Sequence, residues 1–294
     1  MSQDVKLFIQ QHLQDIEQHL LAGIQQQSIT ETLKKSMLYS LEAGGKRVRP
    51  MLLLAVLEEF GQPLARGYDA ACALEYIHTY SLIHDDLPAM DDDELRRGKP
   101  TNHVVFGEAT AILAGDGLLT EAFRLLSHST TYTDGEKISL IRLLSEAAGA
   151  KGMVGGQLMD MEAEGSAVEL AHLQQIHANK TGALLQFSVQ AGALLSGANE
   201  QQQQALAEYA TALGVLFQVQ DDILDVTADS TILGKTAGKD IAANKSTYPA
   251  LLTLEGAVAE RTKYHQQATE ALASIGKGQG LLKSFADYIT YRDN

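Results

Sequence analysis

Apolar residues recur every three to four positions over most of the chain, which is the period of an amphipathic helix. From this pattern and its stop signals we predict helices near residues 3–24, 28–43, 50–60, 65–86, 107–127, 135–150, 152–163, 168–195, 200–226, 247–273 and 278–291. Strict alternation of β-branched and aromatic residues is nearly absent, so strands have little support. The five prolines leave the stretch between Pro100 and Pro249 free for long helices. The pattern therefore predicts an all-α protein.

Two predicted helical stretches, 109–123 and 181–195, are apolar on most sides. Such helices lie at the centre of a protein or in a subunit interface. No linker rich in Gly, Ser or Pro divides the 294 residues, and no repeat recurs at a fixed period. We therefore predict one large helical domain over residues 1–294, although the length alone would allow two.

The composition narrows the classes of function. The chain carries 23 Lys and Arg against 37 Asp and Glu, a net charge of −14, which argues against a general nucleic-acid binder and against docking on an anionic membrane. No apolar run is long enough to span a bilayer, and residues 1–10 lack the pattern of a signal peptide. The single cysteine, Cys72, rules out an intrachain disulfide and indicates a reducing compartment. We expect a cytoplasmic protein that inserts stably in no membrane.

The segment HDDLPAMDDDE (84–94) places six acidic residues at the end of an apolar predicted helix. Two carboxylates about 4 Å apart repel by roughly 4 kcal/mol at an effective dielectric constant near 20, so such a cluster favours a bound cation. Hard oxygen ligands are typical of Mg²⁺ sites. Pro88 disfavours a helix at the residue before it, and we expect the helix to end there so that Asp91 lies beside Asp85. A solvated acidic loop is the alternative.

The segment QDDILD (220–225) is a second acidic cluster at the end of an apolar helical stretch. Asp221 and Asp225 are four residues apart, so a helix would present them on one face. A solvated turn would explain this cluster by itself. Two clusters of the same form favour the two walls of one metal site.

Basic residues flank the first acidic cluster in the sequence. GGKRVRP (44–50) precedes a predicted helix that begins at Met51, and basic side chains beside a helix N-terminus favour anion binding. RRGKP (96–100) follows the acidic run directly, where charge compensation is the alternative. His78 lies seven residues before Asp85 and therefore on the same helical face. Lys180, Lys235 and Lys245 are isolated lysines, and each by itself would be an ordinary surface residue.

Eight blocks occur in order along the chain: GGKRVRP (44–50), HDDLPAMDD (84–92), LRRGKPT (95–101), GGQLMD (155–160), NKTGALL (179–185), FQVQDDILD (217–225), LGK (233–235) and NKSTYPALL (244–252). Together they resemble the blocks of short-chain trans-prenyl diphosphate synthases, in particular the bacterial-type farnesyl diphosphate synthases. Each block is weak alone, but the ordered set is specific. The resemblance implies an all-helical fold around a deep central cavity, usually in a homodimer.

The resemblance also implies site residues and their ligands. Three Mg²⁺ ions, with Mn²⁺ as an alternative, would bridge an allylic diphosphate to Asp85, Asp86, Asp91, Asp221, Asp222 and Asp225. Arg96, Lys180, Lys235 and Lys245 would hold that diphosphate, and Lys46, Arg49, His78 and Arg97 would hold isopentenyl diphosphate. Lys180, Thr181 and Gln218 would stabilise the allylic cation, and Gln157 and Asp160 would line the metal cavity. The departing pyrophosphate would take the proton, so no protein base is required.

Product length is predicted from the helix that bears Asp85. Tyr80 and Ser81 lie five and four residues before it, one turn deeper, and a bulky Tyr80 would limit the product to 15 carbons. A geranylgeranyl diphosphate synthase is the alternative within the enzyme class, and an ordinary core role for Tyr80 stays open. A terpene cyclase would lack the second acidic cluster. A non-catalytic partner subunit would have lost aspartates or phosphate-binding lysines.

Overall fold

The computed structural model describes residues 3–166, 168–227 and 246–292, and these residues are almost entirely helical. The helices are α1 (Gln3–Gln25), α2 (Glu31–Leu41), α3 (Val48–Glu59), α4 (Tyr68–Asp85), α5 (Asn102–Phe106), α6 (Glu108–His128), α7 (Asp134–Ala148), α8 (Met153–Ala163), α9 (Leu170–His177), α10 (Ala183–Leu195), α11 (Glu200–Thr227), α12 (Tyr248–Ala273) and α13 (Leu281–Tyr291). A 3₁₀ turn, Leu64–Gly67, leads into α4. The predicted all-α class is confirmed.

Helices α4 and α10 lie at the centre of the fold. Both bury side chains on nearly every side; α3 packs against each of them, and α6 packs along α4. This bears out the prediction of a buried helix over 181–195. Helix α6, which contains the other predicted apolar stretch, 109–123, is less buried, because Ile112 is 43% exposed and Leu113 is 59% exposed.

A smaller apolar cluster joins α11 to α12. Val219 and Ile223 of α11 pack with Tyr248 and Ala257 of α12, and Leu173 of α9 completes the group. The second acidic cluster lies on this same stretch of α11. Its aspartates are therefore carried by a helix whose opposite side is fixed in the protein interior.

The helix boundaries differ from the predictions in three places. Helix α3 begins at Val48 rather than Met51; Pro50 is tolerated because amides of the first turn have no intrahelical partner. The predicted helix over 168–195 is α9, a π-helical turn (Ala178–Gly182) and α10. Helix α12 is kinked at Thr253, where φ is 68° and the side chain accepts a hydrogen bond from the amide of Gly256 at 3.3 Å.

A small hairpin and the short α5 were not predicted by periodicity. Strand β1 (Leu95–Arg96) pairs antiparallel with β2 (Lys99–Pro100), and Gly98 between them has a φ of 75°. In the part of the chain that the structure describes, no helix is long and apolar enough to cross a membrane. The main apolar core draws on helices from α1 to α13. A single domain over residues 1–294 stays a prediction.

Candidate active site

The first acidic cluster lies where α4 ends. The chain turns back after Asp85, and the amide of Asp91 donates to the carbonyl oxygen of Asp85 at 2.9 Å. Asp92 has a left-handed backbone, with φ of 50°, at the point where the loop reverses. Backbone geometry therefore holds Asp91 beside Asp85, as the position of Pro88 predicts.

Burial and crowding perturb the carboxyl groups of this cluster. Burial raises the pKa of Asp85 to about 6, although Lys180 nearby opposes the rise. The charge of Asp91 raises the same pKa further. Burial also raises the pKa of Asp86, against a hydrogen bond from Arg96. Carboxylates held together in this way are stabilised in their ionised form by a cation.

The hairpin places Arg96 at the edge of the first cluster. Its Nε donates to Oδ1 of Asp86 at 2.7 Å, and its Nη2 lies 2.5 Å from the same oxygen. The Asp86 side chain is 5% exposed and that of Arg96 is 24% exposed, so the guanidinium is the more accessible member of this pair. A guanidinium in this position suits a diphosphate, whose oxygens match its paired donors.

The three aspartates of the second cluster have different surroundings on α11. Oδ2 of Asp222 is committed to the start of α12, because it accepts a hydrogen bond from the amide of Tyr248 at 2.9 Å. Oδ2 of Asp225 is buried and has no hydrogen-bond partner within the described ranges. Asp221 is half-exposed and accepts from Nη2 of Arg292 at 2.5 Å. The helix presents Asp221 and Asp225 on one face, as predicted.

Arg292, just after α13, is a site residue that sequence reasoning did not assign. Its guanidinium donates to the carbonyl oxygen of Phe217 at 3.1 Å and lies over the Phe217 ring at 4.0 Å from the ring centre. The Gln220 side chain donates in turn to the Arg292 carbonyl oxygen at 3.1 Å. The only local signal is that Arg292 is the one basic residue in the tail 288–294.

Four predicted basic residues lie near one another beside α3 and α4. Nη1 of Arg49 and Nε2 of His78 are 3.4 Å apart, and Arg97 donates to the carbonyl oxygen of Gly44. Burial lowers the pKa of His78 well below its usual value, and the charge of Arg49 lowers it further, so His78 is neutral. Burial also lowers the pKa of Lys46. A group with this much positive charge is suited to an anion.

The π-helical turn carries Lys180 and Thr181. Nζ of Lys180 donates to Oδ2 of Asp160 at 2.6 Å. Helix α8 approaches the turn so closely at Gly156 that a Cβ there would lie 2.2 Å from the Lys180 amide nitrogen. Oε1 of Gln157 is buried and has no hydrogen-bond partner among the described residues, so it is an acceptor that a donor in the cavity would satisfy.

The remaining predicted residues complete the description. Tyr80 is buried on α4, Ser81 donates to the carbonyl oxygen of His78 at 2.9 Å, and Gln218 is half-buried on α11. Lys235 and Lys245 lie outside the described residues.

Electrostatic effects connect the separate groups. Burial lowers the pKa of both Arg49 and Lys46, and the charge of Asp221 opposes that shift. The charge of Asp86 acts on Arg97 in the same way, and Lys180 acts on Asp85. Both acidic clusters are therefore within electrostatic reach of the basic group, and the π-helical turn is within reach of the first cluster.

A divalent metal fits the donors that are present. Over the described ranges, no group of three or more His, Cys, Asp or Glu side chains is already arranged around a metal position. Mg²⁺, however, usually takes one or two protein carboxylates and completes its shell with water and substrate phosphates. The crowded Asp85 and the buried, unpartnered oxygen of Asp225 suit such an open site.

Comparisons with known proteins agree with this arrangement. The family described as polyprenyl synthetase matches residues 30–282. A farnesyl diphosphate synthase from Bacillus subtilis (strain 168) is 48% identical over 296 residues, with 100% of both chains covered. A chloroplastic geranylgeranyl pyrophosphate synthase from Catharanthus roseus is 50% identical over 273 residues, which cover 90% of this chain and 76% of that protein. The apo crystal structure of an FPP/GFPP synthase from Zymomonas mobilis has a TM-score of 0.86 at 37% identity and covers 99% of this chain and 100% of that one.

Proposed function

The chain belongs to the polyprenyl synthetase family, and from this premise we propose that it is a prenyltransferase that makes farnesyl diphosphate. It joins isopentenyl diphosphate head to tail (1′-4) to dimethylallyl diphosphate and then to geranyl diphosphate. The observation that carries the proposal is the pair of acidic clusters at the ends of buried helices, since Asp86 of the first acts on Arg97 and Asp221 of the second acts on Arg49 in one basic group. The family uses divalent metal ions, which such clusters suit.

In the proposed site, Asp85, Asp86 and Asp91 would hold two Mg²⁺ ions, and Asp221 with Asp225 would hold a third, with Mn²⁺ as an alternative. When bound, the ions would supply positive charge that stabilises the leaving diphosphate. The sequence expectation also places Asp222 on a metal. Because its Oδ2 accepts from the Tyr248 amide, we assign Asp222 instead to holding the start of α12.

Four cations hold the allylic diphosphate in this proposal: Arg96, Lys180, Lys235 and Lys245. Arg96 contacts Asp86 and Lys180 contacts Asp160, so a carboxylate orients each of these two side chains before substrate binds. Cations fixed in advance stabilise the charge that develops on the leaving group without a further reorganisation step. Gln157 lines the same cavity beside Asp160.

The isopentenyl diphosphate binds to the basic group around α3 and α4. Lys46, Arg49 and Arg97 provide charge, and the neutral His78 provides a hydrogen bond. Because the two diphosphates bind to different sets of residues, the double bond of isopentenyl diphosphate is held against C1 of the allylic substrate.

The reaction breaks the C1–O bond of the allylic diphosphate and forms a C1–C4 bond to isopentenyl diphosphate. The carbonyl and side-chain dipoles of the Lys180–Thr181 turn and of Gln218 stabilise the allylic cation, and the apolar walls exclude water. The isopentenyl unit then loses a proton to the departed pyrophosphate, which leaves the product double bond.

Tyr80 sets the product length in this proposal. It is 5% exposed, on the helix that bears Asp85 and one turn deeper, with Ser81 beside it. A geranylgeranyl diphosphate synthase is the second candidate, favoured by the 50% identity to the Catharanthus roseus protein. The bulk of Tyr80 opposes it.

We further propose that the chain acts as a homodimer in the cytoplasm. Five exposed apolar side chains, Leu95, Val104, Val105, Ile112 and Leu113, lie on β1, α5 and the start of α6. Exposed apolar side chains in such number on adjoining elements are typical of a subunit interface.

Product analysis tests the proposed function. The purified protein is incubated with Mg²⁺, isopentenyl diphosphate and either dimethylallyl or geranyl diphosphate. The products are dephosphorylated, and the alcohols are separated by chromatography and identified by mass spectrometry. We expect a dominant 15-carbon product from both primers and no product in EDTA, with activity restored by Mg²⁺.

The other outcomes decide between the alternatives. A dominant 20-carbon product would support the geranylgeranyl diphosphate synthase and overturn the role of Tyr80. Absence of condensation with either primer would contradict catalysis and favour a non-catalytic partner subunit.

A further inference from the structure

Gly115 of α6 faces the His84 side chain of α4. A Cβ at this position would lie 2.1 Å from Nε2, 2.5 Å from Cδ2 and 2.9 Å from Cε1 of His84. The imidazole therefore occupies the space that any larger residue 115 would need. Because Gly115 is buried and fixed in a helix, the ring position and the glycine depend on each other.

The His84 ring is fixed on two further sides. Its Nε2 donates to the carbonyl oxygen of Ile112 at 3.1 Å, which sets the ring orientation against the backbone of α6. Its other side meets the Tyr80 ring in a T-shaped arrangement, with centres 5.7 Å apart and an angle of 78° between the planes. Edge-to-face contacts of this kind restrict the orientation of both rings.

We infer that His84, held by Gly115 and Ile112, positions the Tyr80 ring and thereby fixes the length of the product. The inference rests on the proposed function, in which Tyr80 blocks the growing chain. A tyrosine blocks a channel only while its ring stays across it. The T-shaped contact makes that orientation the favoured one, so His84 acts as a positioning residue through Tyr80.

The test compares the products of His84→Ala, His84→Phe and Gly115→Ala with those of the wild type. Loss of one ring contact corresponds to about a three- to tenfold change in population, so we expect His84→Ala to raise the ratio of 20-carbon to 15-carbon product by about that factor. His84→Phe keeps a ring against Tyr80 and should keep the 15-carbon product. Gly115→Ala displaces the imidazole and should shift the ratio in the same direction as His84→Ala.

Two matched variants separate positioning from general damage. Gly117→Ala is the control for the helix, because its Cβ would only touch Met37 at 3.4 Å; it should leave the product ratio unchanged and should not lower the melting temperature. Gly115→Ala should lower the melting temperature by about 3–6 °C, and adding His84→Ala should restore most of it. In a Tyr80→Ala background, His84→Ala should change the ratio no further.

An unchanged product ratio in both His84→Ala and Gly115→Ala would overturn the inference, as would an equal effect of His84→Ala with and without Tyr80. If His84→Ala proves inactive, Gly115→Ala and His84→Phe decide the question by the same ratio. A wild-type protein that makes no 15-carbon product would instead contradict the proposed function. In that case His84→Ala would still restore the melting temperature lost in Gly115→Ala. Failure of the inference and failure of the proposed function are therefore distinguishable.

Discussion

Neighbouring aspartates of the second cluster serve different purposes although their side chains are chemically identical. Asp221 is half-exposed and contacts the buried guanidinium group of Arg292, whereas Asp222 is 6% exposed and accepts a hydrogen bond at the start of a distant helix. A hydrogen bond from a backbone amide to a charged acceptor typically contributes about 1.5–3 kcal/mol to the free energy of unfolding. The roles of the two residues can therefore be separated by substitution.

We predict that Asp222→Ala lowers the free energy of unfolding by about 1–3 kcal/mol, because the amide of Tyr248 loses its buried acceptor. Asp221→Asn keeps an oxygen that accepts from the buried Arg292 and should weaken Mg²⁺ binding. Urea unfolding and calorimetric titration of Mg²⁺ measure the two effects. A stable Asp222→Ala protein that has lost Mg²⁺ affinity would return Asp222 to the metal.

The position of Tyr80 leads to a second prediction at the residue scale. Tyr80→Ala removes the bulk one turn below Asp85 and should make the 20-carbon product dominant. Ser81→Phe adds bulk on the adjacent position and should make the 10-carbon product accumulate. Chain-length analysis of the dephosphorylated alcohols checks both. An unchanged spectrum in both variants would show that Tyr80 is an ordinary core residue.

The local sequence predicts which acidic and basic residues form the site, but not which distant residues they contact. The spacing of Asp85, Pro88 and Asp91 predicts that the loop returns, and the backbone hydrogen bond confirms it. The contacts of Asp222 with Tyr248 and of Asp221 with Arg292 join residues 26 and 71 positions apart. The hydrophobic periodicity of the sequence cannot predict such pairs, because they depend on how α11, α12 and α13 pack.

At the scale of elements, the π-helical turn depends on the close approach of α8. Gly156 allows this approach, since a Cβ there would meet the backbone of Lys180 and Asn179 at 2.2 and 2.7 Å. Backbone atoms cannot move aside as a flexible side chain can. The position of Lys180 is therefore set by a residue on a different helix.

We predict that Gly156→Ala lowers turnover at least about tenfold, because the displaced Lys180 no longer reaches the leaving diphosphate. Gly135→Ala on α7 is the matched control, since its Cβ would meet no atom within 4 Å. Steady-state kinetics with geranyl diphosphate, together with circular dichroism, measure the effect. Full turnover in a folded Gly156→Ala protein would contradict the role of this contact.

The long helices follow from the sequence, whereas their irregularities do not. Ten of the eleven predicted stretches each coincide with one observed helix, because the hydrophobic period and the flanking Gly and Pro residues mark them. The eleventh, 168–195, spans α9, the π-helical turn and α10. The kink at Thr253 and the π-helical turn have no such signal, since both retain helix-forming residues on either side. Tertiary contacts impose these interruptions.

At the scale of the whole molecule, the exposed apolar side chains of β1, α5 and α6 bear on assembly. We predict a mass twice the 31.7 kDa of the chain by light scattering. Leu113→Glu, at a side chain that is 59% exposed, should halve that mass without loss of helix content. Ile138→Glu on α7, at a side chain that is 69% exposed, is the control and should leave the dimer intact. A monomeric wild type would refute the proposed homodimer.

The π-helical turn has a consequence for how relatives of this chain are compared. A π turn holds one residue more than the α-helix that could replace it, and each residue of an α-helix rotates the chain by about 100°. Deleting Ala178, which lies just before the NKTGALL block, would leave a continuous helix that presents Lys180 about a quarter-turn away from Asp160. A sequence could thus retain every motif letter and still lose its cation from the site, and a one-residue gap here carries more functional information than many substitutions.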